Sequence, residues 1–248
     1  MHRFHLHPDA CRGDTLTLTD VEAHHALHVL RVRLGEAVAV LDGEGGVFEC
    51  AVAALDRRCV SLAVRQRRTE PRPDHQITLV QAVTKTRSME WIVQKGTELG
   101  LRRLVPVLTE RSVPQFPGAE AARKAGRWRE IAIESLKQCG TPWLPEIRNP
   151  LPLSECLSEI PHPELGLVAS LQTGASHPRR PLEAYRARQG CLPSEIAVWI
   201  GPEGDFTEAE TAAICAAGAI PITLGPLTLR AETAAVCCLA FLGYELRA

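Results

Sequence analysis

The sequence predicts an α/β protein of two domains, a small β-rich domain followed by a larger domain built on a parallel sheet. In residues 1–70, short runs of alternating or β-branched residues surround a glycine-rich turn, a pattern typical of antiparallel strands. From residue 75, apolar runs alternate with amphipathic segments, as in βαβ units. Residues 65–73 are rich in proline and charge and lack apolar periodicity, which predicts a linker. We therefore expect domains at residues 1–70 and 74–248.

The first domain is expected to form a small barrel. Its first strand alternates apolar with cationic or protonatable side chains, so one face points to a core. The glycines of Asp42-Gly43-Glu44-Gly45-Gly46 supply the positive φ angles of a hairpin loop. Asp20 is expected to cap a short helix that ends near residues 31–35, so that Arg31 and Arg33 lie in a turn. The predicted strands are residues 3–7, 38–41, 47–53 and 59–64.

The second domain alternates predicted strands and helices, which indicates a parallel sheet with helical crossovers. The last helix has no polar side over most of its length. A helix that is apolar all round needs cover on every face, which favours a second subunit over the alternative, a central core helix. The predicted strands are residues 77–83, 103–108, 165–171, 196–200 and 220–224. The predicted helices are residues 89–99, 119–138, 208–217 and 232–246.

Composition limits the class of protein. The nine cysteines are an odd number without a Cys-x-x-Cys spacing, and several lie in apolar runs, which favours a reducing cytoplasm. Residues 1–5 lack a signal-peptide apolar core, and the longest uncharged apolar run, 233–244, is too short to cross a bilayer. We expect a cytoplasmic protein with no membrane partner. The net charge of −1 leaves a nucleic-acid role only to local basic patches.

Two glycine-containing turns are the strongest chemical signal. Residues 200–205 (Ile-Gly-Pro-Glu-Gly-Asp) follow one apolar strand, and Leu224-Gly225-Pro226 follows another and leads to residues 229–234. Each turn precedes a helix, and glycine lets a ligand lie against bare backbone. Either turn alone is a weak signal, because strand–glycine–helix turns are common. Together they predict a small-molecule site at the ends of neighbouring strands.

At this point the chain resembles a known family, the RsmE family of bacterial small-subunit ribosomal RNA uridine N3-methyltransferases, within the SPOUT class. Each matching segment is weak alone, but their order and spacing extend over nearly the whole chain. The segments are Arg3-Phe4; His25-x-x-His28-Val29-Leu30-Arg31 with Gly35; Lys85 and Arg87 followed by Glu90, Lys95 and Glu98-Leu99-Gly100; Thr109-Glu110-Arg111-Ser112; Gln138-Cys139-Gly140; residues 200–204; and Leu229-Arg230 with Glu232-Thr233-Ala234.

The resemblance implies an N-terminal PUA-like barrel that binds RNA and a C-terminal SPOUT domain with a trefoil knot, a homodimer, and S-adenosyl-L-methionine as cofactor. It also implies methylation of a uridine at N3 in 16S ribosomal RNA, within the small ribosomal subunit, and no metal. The cofactor is expected against three loops, with apolar side chains around adenine and backbone groups as polar contacts. The implied cofactor-binding residues are Leu171, Thr173, Gly174, Ile200, Gly201, Glu203, Gly204, Leu224, Gly225, Leu229, Thr233 and Ala234.

The expected chemistry requires the N3 proton of uracil to leave before the nitrogen becomes a good nucleophile. A cation that stabilises the uracil anion and a base or water path for the proton are therefore needed. Arg230 is the candidate cation, because it lies between a cofactor loop and a helix N-terminus. Glu232 is the candidate proton acceptor or ring-orienting group. The alternative for Glu232 is structural, since acids stabilise the first turn of a helix; Glu203, similarly, could hold the ribose or only secure its turn.

RNA contacts are expected from a few placed cations rather than from the net charge. The candidates are Arg3, Arg31 and Arg33 in the first domain and Lys85, Arg87 and Arg111 in the second. A solvated face or linker is the preferred interpretation of Arg57, Arg58, Arg67 and Arg68. The histidines at 5, 7, 24, 25 and 28 have no cysteine or carboxylate at metal-ligand spacing, so RNA contact or surface placement is favoured over metal binding.

Two positions depart from the family pattern. Asp205 stands where the family usually has a second glycine, and Thr141 follows Gly140 where arginine is common. Asp205 is expected to be the N-cap of the helix that begins near Glu208. A ribose 2′-O-methyltransferase of the same class is the nearest alternative, but its Asn-x-Gly-x-x-x-Arg motif is missing, since the one asparagine is Asn149. A noncatalytic RNA-binding protein is the alternative of another kind, and the intact turns argue against it.

Overall fold

The chain forms two compact units in this computed structural model, which describes residues 1–112, 118–159, 163–171 and 174–246. The first unit comprises Met1–Arg72 with Ile133–Leu144, and the second comprises Pro73–Ala132 with Pro145–Ala248. One long helix, α3, Gly118–Cys139, contributes residues to both units. The domain limits expected at residues 70 and 74 stay a prediction.

The first unit contains a sheet in which the strands lie in the order β1-β3-β4-β5-β2. Strands β1 and β3 are parallel, and the other pairs are antiparallel. Phe4 of β1 is fully buried and Leu6 packs against the same apolar cluster, which confirms the inward face expected from the alternating pattern. The strands are β1 His2–His5, β2 Thr15–Leu18, β3 Ala37–Leu41, β4 Gly46–Leu55 and β5 Val60–Thr69.

A helical segment lies between β2 and β3. A short 3-10 helix, Pro8–Cys11, precedes β2, and α1, Asp20–His24, follows it. The chain then continues as a π-helix, His25–Leu30, and ends at Arg31, whose φ of 54° is left-handed. The predicted helix and its end near Arg31 are therefore confirmed. The expectation that Asp20 caps it is wrong, because the N-cap residue is Thr19 and Asp20 is the first residue of the helix.

The linker predicted at residues 65–73 is wrong for its first part, because β5 continues to Thr69. Its last residues pair with the start of β4, where Gly46 lies opposite Thr69 and Phe48 lies opposite Arg67. The side chains of this half of β5 are exposed, so their charge has no desolvation cost while the backbone remains hydrogen-bonded. Charge-rich composition therefore indicated an exposed surface, not an irregular backbone.

The second unit is built on a parallel sheet with strands in the order β12-β10-β11-β6-β7-β8, and β9 also pairs with β7. This confirms the parallel sheet. We expected β11 and β12 to be neighbours, but this is wrong, because β10 lies between them. Apolar runs predict strands but carry no information on their order. The strands are β6 Gln76–Ala82, β7 Arg103–Leu108, β8 Glu146–Ile147, β9 Leu151–Pro152, β10 Leu165–Ala169, β11 Glu195–Ile200 and β12 Ala219–Ile222.

Helices connect these strands and cover the sheet. Besides α3, they are α2 Thr86–Glu98, α4 Leu153–Glu159, α5 Arg179–Gln189, α6 Glu208–Ala216 and α7 Ala231–Glu245. The short strands β8 and β9 and the helices α4 and α5 were not predicted. Across the described residues, no helix combines the length and the apolar character that a membrane crossing requires.

The last helix, α7, is buried on one face only. It packs against α2, and its buried residues include Ala235, Cys238, Leu239 and Leu242. The opposite face exposes Thr233, Cys237, Ala240 and Tyr244, at helical spacings of four, three and four residues. The structure therefore leaves an exposed and mostly apolar stripe on a helix whose sequence suggested cover on every side.

Candidate functional site

A cavity open to solvent lies at the carboxyl ends of β10, β11 and β12 in the second unit. The loop after each of these strands contributes to its wall, together with the first turn of α7. In parallel α/β sheets, ligands bind at this end of the strands. Its lining residues are Ala169, Ser170, Leu171, Ile200, Gly201, Pro202, Glu203, Asp205, Thr223, Leu224, Gly225, Leu227, Thr228, Leu229, Ala231 and Ala234.

The turn after β11 is closed by its own backbone and held from outside. The N–H of Asp205 donates to the carbonyl of Pro202 at 2.9 Å, and Asp205 has a left-handed φ of 59°. The guanidinium of Arg111 donates to the carbonyl of Gly204 at 2.7 Å. Arg111 follows β7, so two loops fix this wall.

The expectation that Asp205 caps α6 is wrong. The N-cap is Thr207, whose side chain accepts from the N–H of Glu210 at 3.2 Å, while Glu210 accepts from the N–H of Thr207 at 2.8 Å. Such a reciprocal capping box satisfies two free donors of the helix terminus. The carboxylate of Asp205 instead accepts from the N–H of Phe206 at 2.8 Å, and its other oxygen faces the N–H of Leu171 at 3.5 Å.

The other two loops bring exposed apolar side chains to the cavity. Leu171, after β10, is 63% exposed, and Leu227, after β12, is 74% exposed. Thr223 shapes the latter loop, because its hydroxyl oxygen accepts from the N–H of Gly225 at 3.3 Å. Large apolar side chains exposed within a concave site indicate a surface that a ligand covers.

The start of α7 places Arg230 and Glu232 beside the cavity. Arg230 is the N-cap residue, with extended backbone angles and no capping hydrogen bond from its side chain. Its side chain is exposed and has no ion pair among the described residues. Glu232 lies in the first turn, between the cavity-lining Ala231 and Ala234. Both residues are therefore chain neighbours of lining residues at the N-terminus of α7, but neither lines the cavity itself.

Most of the residues expected to bind a cofactor line this cavity. They are Leu171, Ile200, Gly201, Glu203, Leu224, Gly225, Leu229 and Ala234. Gly174, Gly204 and Thr233 do not line it, and Thr173 lies outside the described residues. The roles of all these residues stay predictions.

Several lining residues are not among the individually expected ones, notably Ser170, Thr223, Leu227 and Thr228, although the resemblance implied residues 224–234 as one of the three cofactor loops. A threonine two residues before a glycine is typical of a turn in which the hydroxyl bonds to the backbone, so Thr223 carried a usable signal. Leu227 carried none, because an exposed leucine looks the same in sequence as a buried one.

In the first unit, the guanidinium of Arg3 is already hydrogen-bonded within the protein. Its guanidinium donates to the carbonyls of Lys137 at 3.2 Å and Gln138 at 3.0 Å, at the C-terminus of α3, where a cation stabilises the helix dipole. Arg31 and Arg33 are exposed at the end of the π-helix and have no side-chain ion pair among the described residues. The three candidates for RNA contact therefore differ in how free their charges are.

A buried ion cluster lies beside Arg3. Lys137 is 2.7 Å from a carboxylate oxygen of Glu22 and 2.7 Å from one of Glu134. Burial lowers the pKa of Lys137, but the hydrogen bonds that it donates to Glu134 and Glu22 outweigh burial, so its pKa is raised. His5 has a lowered pKa, because it is desolvated by burial and lies near the charge of Lys137.

In the second unit, Lys85 and Arg87 are exposed at the N-terminus of α2, where Lys85 is the N-cap residue. Arg111 is exposed but bonded to Gly204, as described above. Among the described residues, no cluster of three or more His, Cys, Asp or Glu side chains has the arrangement of a metal site.

Known protein families match both the N-terminal and the C-terminal part of the chain. Residues 70–243 match the family described as the RNA methyltransferase domain, and residues 18–63 match the RNA methyltransferase PUA domain. The ribosomal RNA small subunit methyltransferase E of Synechocystis sp. is 33% identical over 96% of this chain and 76% of its own length. That of Aquifex aeolicus is 33% identical over 98% of this chain and 99% of its own length.

Two solved structures have the same fold over nearly the whole chain. The ribosomal RNA small subunit methyltransferase E of Neisseria gonorrhoeae, bound to S-adenosyl methionine, has a TM-score of 0.85 at 28% identity, covering 99% of this chain and 98% of that one. A Legionella pneumophila methyltransferase in complex with the bound cofactor SAM has a TM-score of 0.87 at 28% identity, covering 98% and 97%. The predicted pair of a PUA-like domain and a methyltransferase domain is confirmed; the knot stays a prediction.

Proposed function

Because the chain belongs to the ribosomal RNA small subunit methyltransferase E family, we propose that it transfers a methyl group from S-adenosyl-L-methionine to N3 of a uridine in 16S ribosomal RNA. The observation that carries this proposal is the cavity at the ends of β10, β11 and β12. Exposed Leu171 and Leu227 supply apolar area for an adenine ring, and the turns offer backbone groups for its polar atoms.

The cofactor supplies an activated methyl group, and the chain must prepare the uracil. The exposed guanidinium of Arg230 stabilises the negative charge that N3 and its neighbouring carbonyls acquire when the proton leaves. The N-terminal amides of α7 favour the same charge. Glu232 takes the N3 proton directly or through water, or it orients the ring. Arg230 and Glu232 are thus proposed as the catalytic residues.

The direct test is methylation of unmodified small ribosomal subunits by the purified protein with labelled cofactor, followed by mass spectrometry of the RNA. We expect one methyl group on N3 of a uridine. A methyl group on a ribose or on another base would contradict the proposal.

Variants separate catalysis from binding. Arg230→Ala is expected to retain cofactor affinity in calorimetry and to lose methyl transfer by about a hundredfold or more, the usual effect of removing a charge-stabilising group. Arg186→Ala removes an exposed arginine from α5, away from the cavity lining, and should leave turnover unchanged. Unchanged turnover in Arg230→Ala would remove Arg230 from the proposed role.

We propose that the PUA-like unit binds the RNA through Arg31 and Arg33, with Lys85 and Arg87 contributing from the second unit. Each lost phosphate contact should reduce the salt dependence of binding by about one counterion. Arg31→Ala with Arg33→Ala should therefore weaken binding to small subunits and flatten its salt dependence. The matched control is Arg57→Ala with Arg58→Ala, which should change neither. Equal effects of the two pairs would contradict this surface.

We propose a homodimer, cytoplasmic like its substrate, in which the exposed stripe of α7 is covered by a second copy. Ala240→Arg places a charge in that stripe and should yield a monomer in light scattering at micromolar concentration. Ala184→Arg, on the exposed face of α5, is the control and should leave the mass unchanged. A monomeric wild-type protein would overturn the proposal.

A further inference from the structure

Asp205 lies in the cavity wall with its carboxylate held in place. One oxygen accepts from the N–H of Phe206 at 2.8 Å, and the other faces the N–H of Leu171 at 3.5 Å. The residue therefore connects the turn after β11 with the loop after β10, and both segments line the cavity. Because α6 is capped by Thr207, this carboxylate is not used by the helix.

The ionisable side chains that line the cavity are acidic. Among its described residues, the ionisable side chains are those of Glu203 and Asp205, both acids. Arg111, after β7, contacts this turn, and its guanidinium is bonded to the carbonyl of Gly204. Arg230 follows a lining residue but is not part of the lining. A ligand in the cavity is therefore bordered by negative side chains.

We propose that Asp205 makes the cavity select its ligand by charge, favouring a cationic sulfonium cofactor over the uncharged thioether that remains after methyl transfer. This inference rests on the proposed function. S-adenosyl-L-methionine and S-adenosyl-L-homocysteine share every group except the methyl on sulfur and the positive charge that accompanies it. Because the charged side chains of the lining are both carboxylates, the cavity favours the ligand that carries the positive charge, and added salt reduces this preference by screening.

The consequence is easier product release. Methyl transfer leaves the sulfur with the electron pair of the broken bond and removes its charge, so the attraction to Asp205 disappears at the moment when the product must leave. A glycine at this position would provide no such change. The aspartate therefore lowers product inhibition relative to substrate affinity.

Asp205→Asn removes the charge. Asparagine has nearly the same shape, accepts the bond from Phe206 through its amide oxygen and tolerates a left-handed φ. Its NH2 group replaces the acceptor that faces Leu171, a loss that affects both ligands, whereas the loss of charge affects the cationic ligand. The ratio of S-adenosyl-L-methionine affinity to S-adenosyl-L-homocysteine affinity, measured by calorimetry on the full-length protein at low salt, should fall by about three- to tenfold, as for a partly screened charge pair. Sinefungin, which carries an amine at the methylated centre, should follow S-adenosyl-L-methionine.

Two further variants and a salt series test the same charge effect. Glu208→Gln removes an exposed acid of α6 that does not line the cavity, and it should leave the ratio unchanged. Asp205→Gly accepts the positive φ at least as well as aspartate and should lower the ratio as Asn does. In the wild-type protein, added salt screens the charge and should lower the ratio of S-adenosyl-L-methionine affinity to S-adenosyl-L-homocysteine affinity. This measurement does not depend on whether the variants fold.

The outcomes distinguish this inference from the function on which it rests. If the wild-type protein binds both ligands but the ratio is insensitive to salt and to both Asp205 variants, Asp205 only shapes its turn and the inference is wrong. If the wild-type protein binds neither ligand, the proposed function itself fails.

Discussion

Alanine substitutions at two glycines of the same turn should differ in their effect on cofactor affinity: a large loss at Gly201 and almost none at Gly204. A Cβ built on the buried Gly201 would lie 2.8 Å from a carboxylate oxygen of Asp205 and 3.0 Å from the backbone nitrogen of Phe206. At Gly204 the nearest atom is the Cδ of Arg111 at 3.4 Å, an ordinary contact with a flexible side chain. Overpacking of this kind costs about 1–3 kcal/mol. Because the cavity wall must move to relieve it, Gly201→Ala should weaken cofactor binding by about five- to 150-fold.

Calorimetry of S-adenosyl-L-methionine binding to both variants measures this difference, and thermal unfolding without ligand checks that each folds. Gly204→Ala should bind within about twofold of the wild-type protein, since its Cβ meets no fixed atom. Asp205→Gly removes the closest clash but not the one with Phe206, so Gly201→Ala should cost less affinity when added to Asp205→Gly than when added to the wild-type protein. Equal losses in the two single variants, or full affinity in Gly201→Ala, would refute this account of the turn.

Three other perturbations follow from the geometry. Lys137→Met leaves the carboxylate of Glu22, which is 13% exposed, without its ion-pair partner. The free energy of unfolding in urea should fall by about 3–5 kcal/mol. Adding Glu22→Gln removes the unpaired charge and should restore most of this loss. Arg111→Ala removes the bond to Gly204 and should weaken cofactor affinity about fivefold; a flatter salt dependence of RNA binding with unchanged cofactor affinity would instead assign Arg111 to RNA. His5 has a lowered pKa when folded, so its contribution to stability is present above pH 6.5 and lost as the pH falls below that value. His5→Gln should therefore make the free energy of unfolding fall less steeply between pH 6.5 and pH 5, and an identical slope would contradict this.

The sequence was most informative where periodicity and glycine act together. The strands before residues 201 and 223 and the helices after them were predictable, because buried strands are apolar throughout and the turns need small residues. The helix α5 was missed, since its buried face consists mainly of Leu182 and Tyr185 within an otherwise charged segment. The order of the strands in the sheet could not be predicted from the sequence either, because it depends on the direction of the crossover connections, which leaves no local pattern.

The misassigned cap of α6 shows why a local signal is insufficient when two residues compete for one role. Asp205 and Thr207 are both good N-cap residues, and each has a glutamate three positions later, Glu208 and Glu210, so the spacing does not decide between them. In the structure Thr207 and Glu210 form the reciprocal pair, which satisfies two donors of the helix terminus. Once Thr207 takes the cap, Asp205 lies outside the helix and can adopt the left-handed φ that closes the turn on Pro202. Its carboxylate then faces the loop after β10 rather than the helix terminus. The same few residues thus decide both where α6 begins and that a negative charge lies in the wall of the cavity.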